Sequence, residues 1–103
     1  METFTESVIA IIKHIPPGNV MTYGQISNLA GRPRGARQVA RILHSMSEKY
    51  QLPWHRVINA KGKISFKDDE MFYTQKTFLE REGVNVVNEN KIDLELYQYT
   101  GLK

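Results

Sequence analysis

Two short amphipathic stretches meet across Gly31-Arg32-Pro33, and no other feature narrows the possible folds so far. Upstream, Thr22-Tyr23-Gly24-Gln25 has the spacing of a capping box: Thr22 caps a helix start and Gln25 reaches back to it. That helix runs through Ile26, Leu29 and Ala30, and Gly31 is well placed to end it. Downstream, Val39, Ile42, Leu43 and Met46 recur at helical spacing and predict a helix near residues 34–46. Two helices joined by about four residues, with glycine at the turn, have the shape of a helix-turn-helix.

The rest of the chain extends this pattern. Phe4, Val8, Ile11, Ile12 and Ile15 predict an amphipathic helix over residues 3–14, broken by the prolines and glycine of PPGNV. VIN and KISF flank Ala60-Lys61-Gly62 and predict two short strands in a hairpin, or wing. A last helix is predicted over residues 70–82, with Phe72, Thr77, Phe78 and Leu79 on or near its inner face, ending at EGV. From Val84 the tail carries Val86, Val87, Ile92, Leu94 and Leu96, and the pattern allows either a packed irregular arm or a short strand. The expected fold is α+β and mainly helical: one winged helix-turn-helix domain over residues 1–103 with a small β-hairpin wing and a C-terminal arm over residues 84–103.

Composition excludes several functions. The chain of 103 residues has no cysteine, which removes disulfides, thiolate chemistry and cysteine-based zinc sites. Its three histidines, His14, His44 and His55, show no metal-ligand spacing, so no metal and no cofactor is expected. No apolar run is long enough for a membrane span, and the acidic start with Glu2 and Glu6 does not read as a secretory signal. These features fit a cytoplasmic protein. The net charge of +3 conceals an asymmetry: Lys13 to Lys67 hold ten Lys or Arg and one acid, Glu48, whereas residues 68–103 hold four basic and eight acidic residues. A basic half-chain points to a polyanion, most often nucleic acid, or else to a solvated basic face.

Within that half, Arg34, Arg37 and Arg41 recur at i, i+3 and i+7 and share a helix face with Gln38 close by, away from the apolar set. Gly35 and Ala36 would let the backbone approach DNA closely. In an ordinary helix-turn-helix this second helix enters the major groove. Tyr23, in the first turn of the preceding helix, either stacks on a base or crowds a phosphate, or is a core tyrosine with a wet hydroxyl. In Pro53-Trp54-His55-Arg56-Val57, His55 has the chemistry of a general base, but no neighbour supplies a nucleophile. On its own the segment reads as a structural turn with a buried ring.

Taken in order, TYGQIS, ARQVAR, PWHRVINAKG and LEREGV resemble the DNA-binding domain of the O6-alkylguanine-DNA alkyltransferase family over roughly residues 4–84. That family's core motif is Pro-Cys-His-Arg-Val, in which the cysteine accepts the alkyl group. Trp54 occupies the cysteine position here, which is similar to the alkyltransferase-like proteins that bind alkylated DNA without repairing it. Nothing in the sequence corresponds to the transferases' separate N-terminal domain.

The resemblance implies roles position by position. Tyr23 matches the tyrosine that pushes the 3′ phosphate and rotates the damaged nucleotide outward, and Arg37 the arginine finger that fills the vacated stack. Pro53, Trp54, His55, Arg56 and Val57 match the pocket motif. Glu82 matches the acid of a relay that runs through histidine to the thiol; without a thiol, His55 and Glu82 become structural remnants. Lys67 is implied at the pocket edge. The family docks its helix in the minor groove, so the major-groove expectation gives way. The implied partners are double-stranded DNA containing O6-alkylguanine and nucleotide excision repair proteins, with the chain acting as a monomer. The alternative is a winged-helix transcription regulator that selects one operator sequence.

Overall fold

The computed structural model describes residues 3–101. It opens with α1 (Phe4–Lys13), capped by a box that the sequence pattern did not reveal: Thr3 accepts from the Glu6 N–H, and the Glu6 carboxylate accepts from the Thr3 N–H. The expected box at Thr22 and Gln25 forms and starts α2 (Tyr23–Leu29), directly after the two-residue strand β1 (Met21–Thr22).

The third helix departs from expectation at both ends. It spans α3 (Ala36–Tyr50), so it starts later and runs longer than 34–46. Arg34 lies in the preceding turn, outside the helix, and the face shared at helical spacing reduces to Arg37 and Arg41. The late stop has a physical cause. Gln51 takes the left-handed conformation at φ 51°, the Leu52 N–H donates to the Ser47 carbonyl at 2.8 Å, and the Gln51 N–H donates to Glu48 at 3.3 Å. This is the same closing turn that Gly31 (φ 95°) makes after α2 and Gly83 (φ 91°) after α4. Because a glutamine fills the position, the sequence carries no visible stop there.

After the 3-10 turn Trp54–Arg56 comes β2 (Val57–Ile58), and here the expected hairpin does not form. β2 pairs in parallel with β1, Met21 opposite Val57 and Thr22 opposite Ile58. One backbone bond crosses the turn, Asn59 N–H to the Lys63 carbonyl at 3.2 Å, and the segment beyond it bonds to the C-terminal arm: Ile64 N–H donates to the Asn90 carbonyl at 2.9 Å, and Ile92 N–H to the Gly62 carbonyl at 2.8 Å. Gly62 is required at this crossing, because a Cβ there would sit 2.8 Å from the Ile92 carbonyl oxygen. The last long helix is α4 (Asp69–Arg81), in which Thr77 is exposed and Gln75, not one of the expected inner residues, is buried beside Leu79. Among the described residues of the arm, β3 (Val86–Val87) and β4 (Lys91–Ile92) form a small antiparallel hairpin, followed by the single turn α5 (Leu94–Tyr97). The fold class is as expected, mainly helical α+β with a winged helix-turn-helix; the hairpin sits at a different place.

The β1–β2 pair divides the core. Side chains of a strand alternate between faces. Met21 and Val57 therefore join Val8, Ile12, Ile15, Ile26, Val39, Leu43 and Leu52 under the helices. Val20 and Ile58 join Ile64, Leu79, Val84 and Ile92 under α4 and the arm. Each fully buried aliphatic side chain contributes roughly 1.5–3 kcal/mol, so the arm's Val84 and Ile92 tie it firmly to the domain. Its end is held as well: Tyr99 N–H donates to the Val20 carbonyl at 2.8 Å, and the Gln25 amide donates to the Tyr99 carbonyl at 2.6 Å.

Candidate functional site

The 3-10 turn that carries Trp54 is held from three sides. From α4, the Gln75 amide, 1% exposed, donates to the carbonyls of His55 and Val57, both at 3.0 Å. From the end of the same helix, Glu82 accepts from His55 Nε2 at 2.8 Å and from Arg56 Nε and Nη2 at 2.9 and 2.6 Å. From the α1–β1 connection, the Ile15 carbonyl accepts from Arg56 Nη1 at 2.9 Å, and the Gly18 N–H donates to Glu82 at 3.3 Å.

Glu82 sits at the C-terminal end of α4, where the helix dipole disfavours an anion. Burial also acts to raise its pKa, but the hydrogen bonds from Arg56, His55 and the Gly18 N–H outweigh it and hold the carboxyl down at about 2. An ionised Glu82 can only accept, so Nε2 of His55 carries the hydrogen it donates. The pairing of His55 with Glu82 expected from the sequence is therefore present. Arg56 belongs to the same network, as a two-pronged clamp rather than a group aimed at a ligand.

Beside the turn lies a cavity of about 480 Å³ lined by Tyr23, Ala40, Leu43, His44, Ser47, Trp54, Phe66 and Met71. Its volume falls in the range of small-molecule sites, and its walls are mostly apolar with a few polar groups. Tyr23 comes from the first turn of α2, and burial raises its hydroxyl pKa, so the group stays protonated and can donate. The Trp54 indole meets Phe66 edge to face, with ring centroids 5.8 Å apart, and Phe78 at 6.2 Å.

Of the expected pocket residues, Tyr23 and Trp54 line this cavity and the others do not. Pro53, His55 and Arg56 line a separate groove that shares only Ser47 and Trp54 with the cavity, and Val57 is 2% exposed in the core. The reason is the turn itself, since a 3-10 helix sends successive side chains about 120° apart. Phe66 reaches the cavity where Lys67 was expected; Lys67 is exposed and not in the lining. The missed wall residues on α3 carried a signal: Ala40, Leu43, His44 and Ser47 recur at i, i+3, i+4 and i+7, a second stripe beside the core stripe. Phe66 and Met71 carried none, because their placement depends on how the loop before α4 folds back.

The basic end of α3 lies apart from the cavity. Arg34, Arg37 and Gln38 border a shallow depression with Gly31 and Arg32, and all three are exposed. Arg41 is exposed too, in a cleft with Arg32 and Phe4. Arg32, which no sequence pattern singled out, organises this end: its guanidinium lies 4.6 Å from the Phe4 ring centroid and donates to the Gln38 amide oxygen at 2.9 Å.

Residues 3–84 match the model of the DNA-binding domain of 6-O-methylguanine DNA methyltransferase. The chain is 43% identical over 99 residues to the DNA base-flipping protein of Vibrio parahaemolyticus, covering 96% of this chain and 98% of that one. It is 38% identical over 104 residues to alkyltransferase-like protein 1 of Schizosaccharomyces pombe, covering 96% of each. It superposes on the crystal structure of S. pombe Atl1 in complex with damaged DNA containing O6-carboxymethylguanine with a TM-score of 0.83, at 36% identity, over 97% of this chain and 99% of that one. The chain has no cysteine, and these two relatives are named for base flipping and for likeness to an alkyltransferase. The chain belongs to the family of the 6-O-methylguanine DNA methyltransferase DNA-binding domain, on its alkyltransferase-like side.

Proposed function

We propose that this protein is a non-enzymatic sensor of O6-alkylguanine in duplex DNA. It docks α2 and α3 in the minor groove, turns the damaged nucleotide out of the stack, holds it beside Trp54 and leaves the alkyl group in place. The observation that carries this reading is the cavity between Tyr23 and Trp54, with an indole where the family's transferring members have a thiol. A base inside the duplex hides its O6 edge, so a pocket can read it only after extrusion. Extrusion costs a few kcal/mol, and an O6-alkyl group lowers that cost by spoiling the pairing with cytosine. Arg37 offsets part of the remainder by filling the vacated stack, while Arg34, Gln38 and Arg41 hold the backbone. The indole offers an apolar wall to the purine and its alkyl group, and base–aromatic contacts of this kind contribute roughly 1–3 kcal/mol.

Because no bond forms, the complex dissociates with the DNA unchanged or persists as a marker. A persistent protein–lesion complex suits recruitment of nucleotide excision repair proteins by a cytoplasmic, DNA-associated monomer. Matched duplexes with and without one O6-methylguanine, titrated in parallel and analysed afterwards, test the reading. Preference for the modified duplex with the methyl group retained is the expected result. Equal affinity would remove the sensor, and demethylated DNA would remove the non-enzymatic part.

A further inference from the structure

The outer face of α4 carries a shallow groove of about 320 Å³ lined by Glu70, Tyr73, Thr74, Thr77, Phe78 and Arg81. It shares no residue with the lesion cavity or with the basic end of α3. These positions recur at i, i+3, i+4, i+7, i+8 and i+11, so they form one stripe along the helix. Tyr73 is 61% exposed in this stripe. Among the described residues neither Glu70 nor Arg81 has an ion-pair partner, since both salt bridges belong to Glu82. The Thr74 hydroxyl is already satisfied, donating to the Glu70 carbonyl at 2.8 Å.

The stripe is its own complement. A twofold axis through the middle of α4, between Gln75 and Lys76, sets the helix antiparallel to the same helix of a second copy. Glu70 of one copy then comes level with Arg81 of the other, at both ends of the contact. Tyr73 and Thr74 come level with Phe78 and Thr77. A helix turns about 100° per residue, so Tyr73 and Phe78 stand about 140° apart, on the two flanks of the stripe. Thr77 shares the flank of Tyr73, and Thr74 that of Phe78. The twofold axis brings like flanks together, so each ring meets a threonine, large against small, as interdigitating helices require.

We propose that the outer face of α4 is a self-association surface whose occupant is a second copy of this chain, with a Glu70–Arg81 pair at each end and Tyr73, Phe78 and the two threonines between. With 13 residues, α4 is about 20 Å long. One helix on one helix falls below the roughly 1,200 Å² of a stable interface, so the pair is transient and the dilute chain is a monomer. The inference does not rest on the lesion reading, because the face uses none of the residues that reading assigns to DNA or to the cavity.

Sedimentation velocity of the full chain, from about 10 µM to about 1 mM, reads the association. The wild type sediments faster as its concentration rises. Glu70→Arg and Arg81→Glu each set like charges against each other at both ends, and each weakens association by about tenfold or more. Their equimolar mixture is the decisive sample. One variant then offers two cations and the other two anions, both ends pair again, and association returns to the wild-type level. Glu70→Arg and Arg81→Glu combined in one chain restore it too, which separates lost pairing from a weakened helix. Tyr73→Ser weakens association by about fivefold with the charges untouched. A wild type that stays monomeric at about 1 mM overturns the proposal. So does association that either single exchange leaves intact, or that the mixture fails to restore. Failure of the lesion reading appears separately, as equal affinity of the dilute wild type for damaged and plain duplex.

Discussion

His55 donates its Nε2 hydrogen to Glu82 across 2.8 Å, joining the turn that carries Trp54 to the end of α4. The His55 ring meets the Trp54 indole at 6.2 Å and Phe78 at 5.3 Å, both edge to face. In this chain the histidine–carboxylate couple therefore supports the aromatic wall.

Glu82 makes stability depend on acid pH. Its carboxyl titrates at about 2 in the folded protein against 4.5 as the ordinary value. A depressed folded pKa contributes stability that is complete above about 4.5 and fades as pH falls toward 2. Glu82→Gln, by leaving Arg56 without its anion, lowers stability at pH 7 by on the order of 2 kcal/mol and flattens the slope in the acid window. Chemical denaturation at several pH values reads both effects, and an unchanged acid slope in Glu82→Gln would contradict the assignment.

Gln75 is the unheralded support of the turn. Gln75→Leu retains bulk but leaves the His55 and Val57 carbonyls short of a donor, at a cost of about 1–3 kcal/mol. The fluorescence of Trp54, the chain's one tryptophan, should broaden and shift red as the turn loosens. An unchanged melt together with an unchanged spectrum would show that the two hydrogen bonds do not hold the indole.

Tyr23 and Arg37 act at different moments of extrusion. Arg37→Ala should weaken binding to an O6-methylguanine duplex by about tenfold, near 1.4 kcal/mol, with the cavity intact. Tyr23→Ala should reduce extrusion itself, seen as a smaller rise of a fluorescent base analogue placed beside the lesion. Wild-type fluorescence in Tyr23→Ala would withdraw that role.

Trp54→Ala should cost roughly 1–3 kcal/mol of lesion affinity by removing the wall. Trp54→Cys should restore no alkyl transfer, because a thiol in a pocket shaped for an indole is not aligned with the alkyl carbon. Mass spectrometry of the variant after incubation with O6-methylguanine DNA checks this, and stoichiometric methylation of the protein would refute it.

Local signals survived folding well. Thr22 and Gln25 form their capping box, Gly31 ends α2, and the apolar stripes of α1 and α3 are the buried ones. The errors share one origin, that local pattern does not name a distant partner. Ile58 looked ready to pair with the strand after Gly62, yet its neighbours are Thr22 and the second core. The tail looked undecided because its partners, Val20, Gly62 and Ile64, lie far back in the chain.

The candidate site divides in the same way. Tyr23 and Trp54 border one cavity and His55 meets Glu82, as the family resemblance implied for their positions. Gln75, Phe66 and Met71 were not legible. Sequence alone determined where α2 begins and ends, which faces of α1 and α3 are apolar, where positive charge concentrates, and that no thiol exists to accept an alkyl group. Only the tertiary structure decided which rings meet the indole, that Arg56 clamps Glu82, and that the arm closes the second core. Capping and periodicity act over one helical turn and are written in adjacent residues; pairing and packing depend on segments that meet only once the chain has closed on itself.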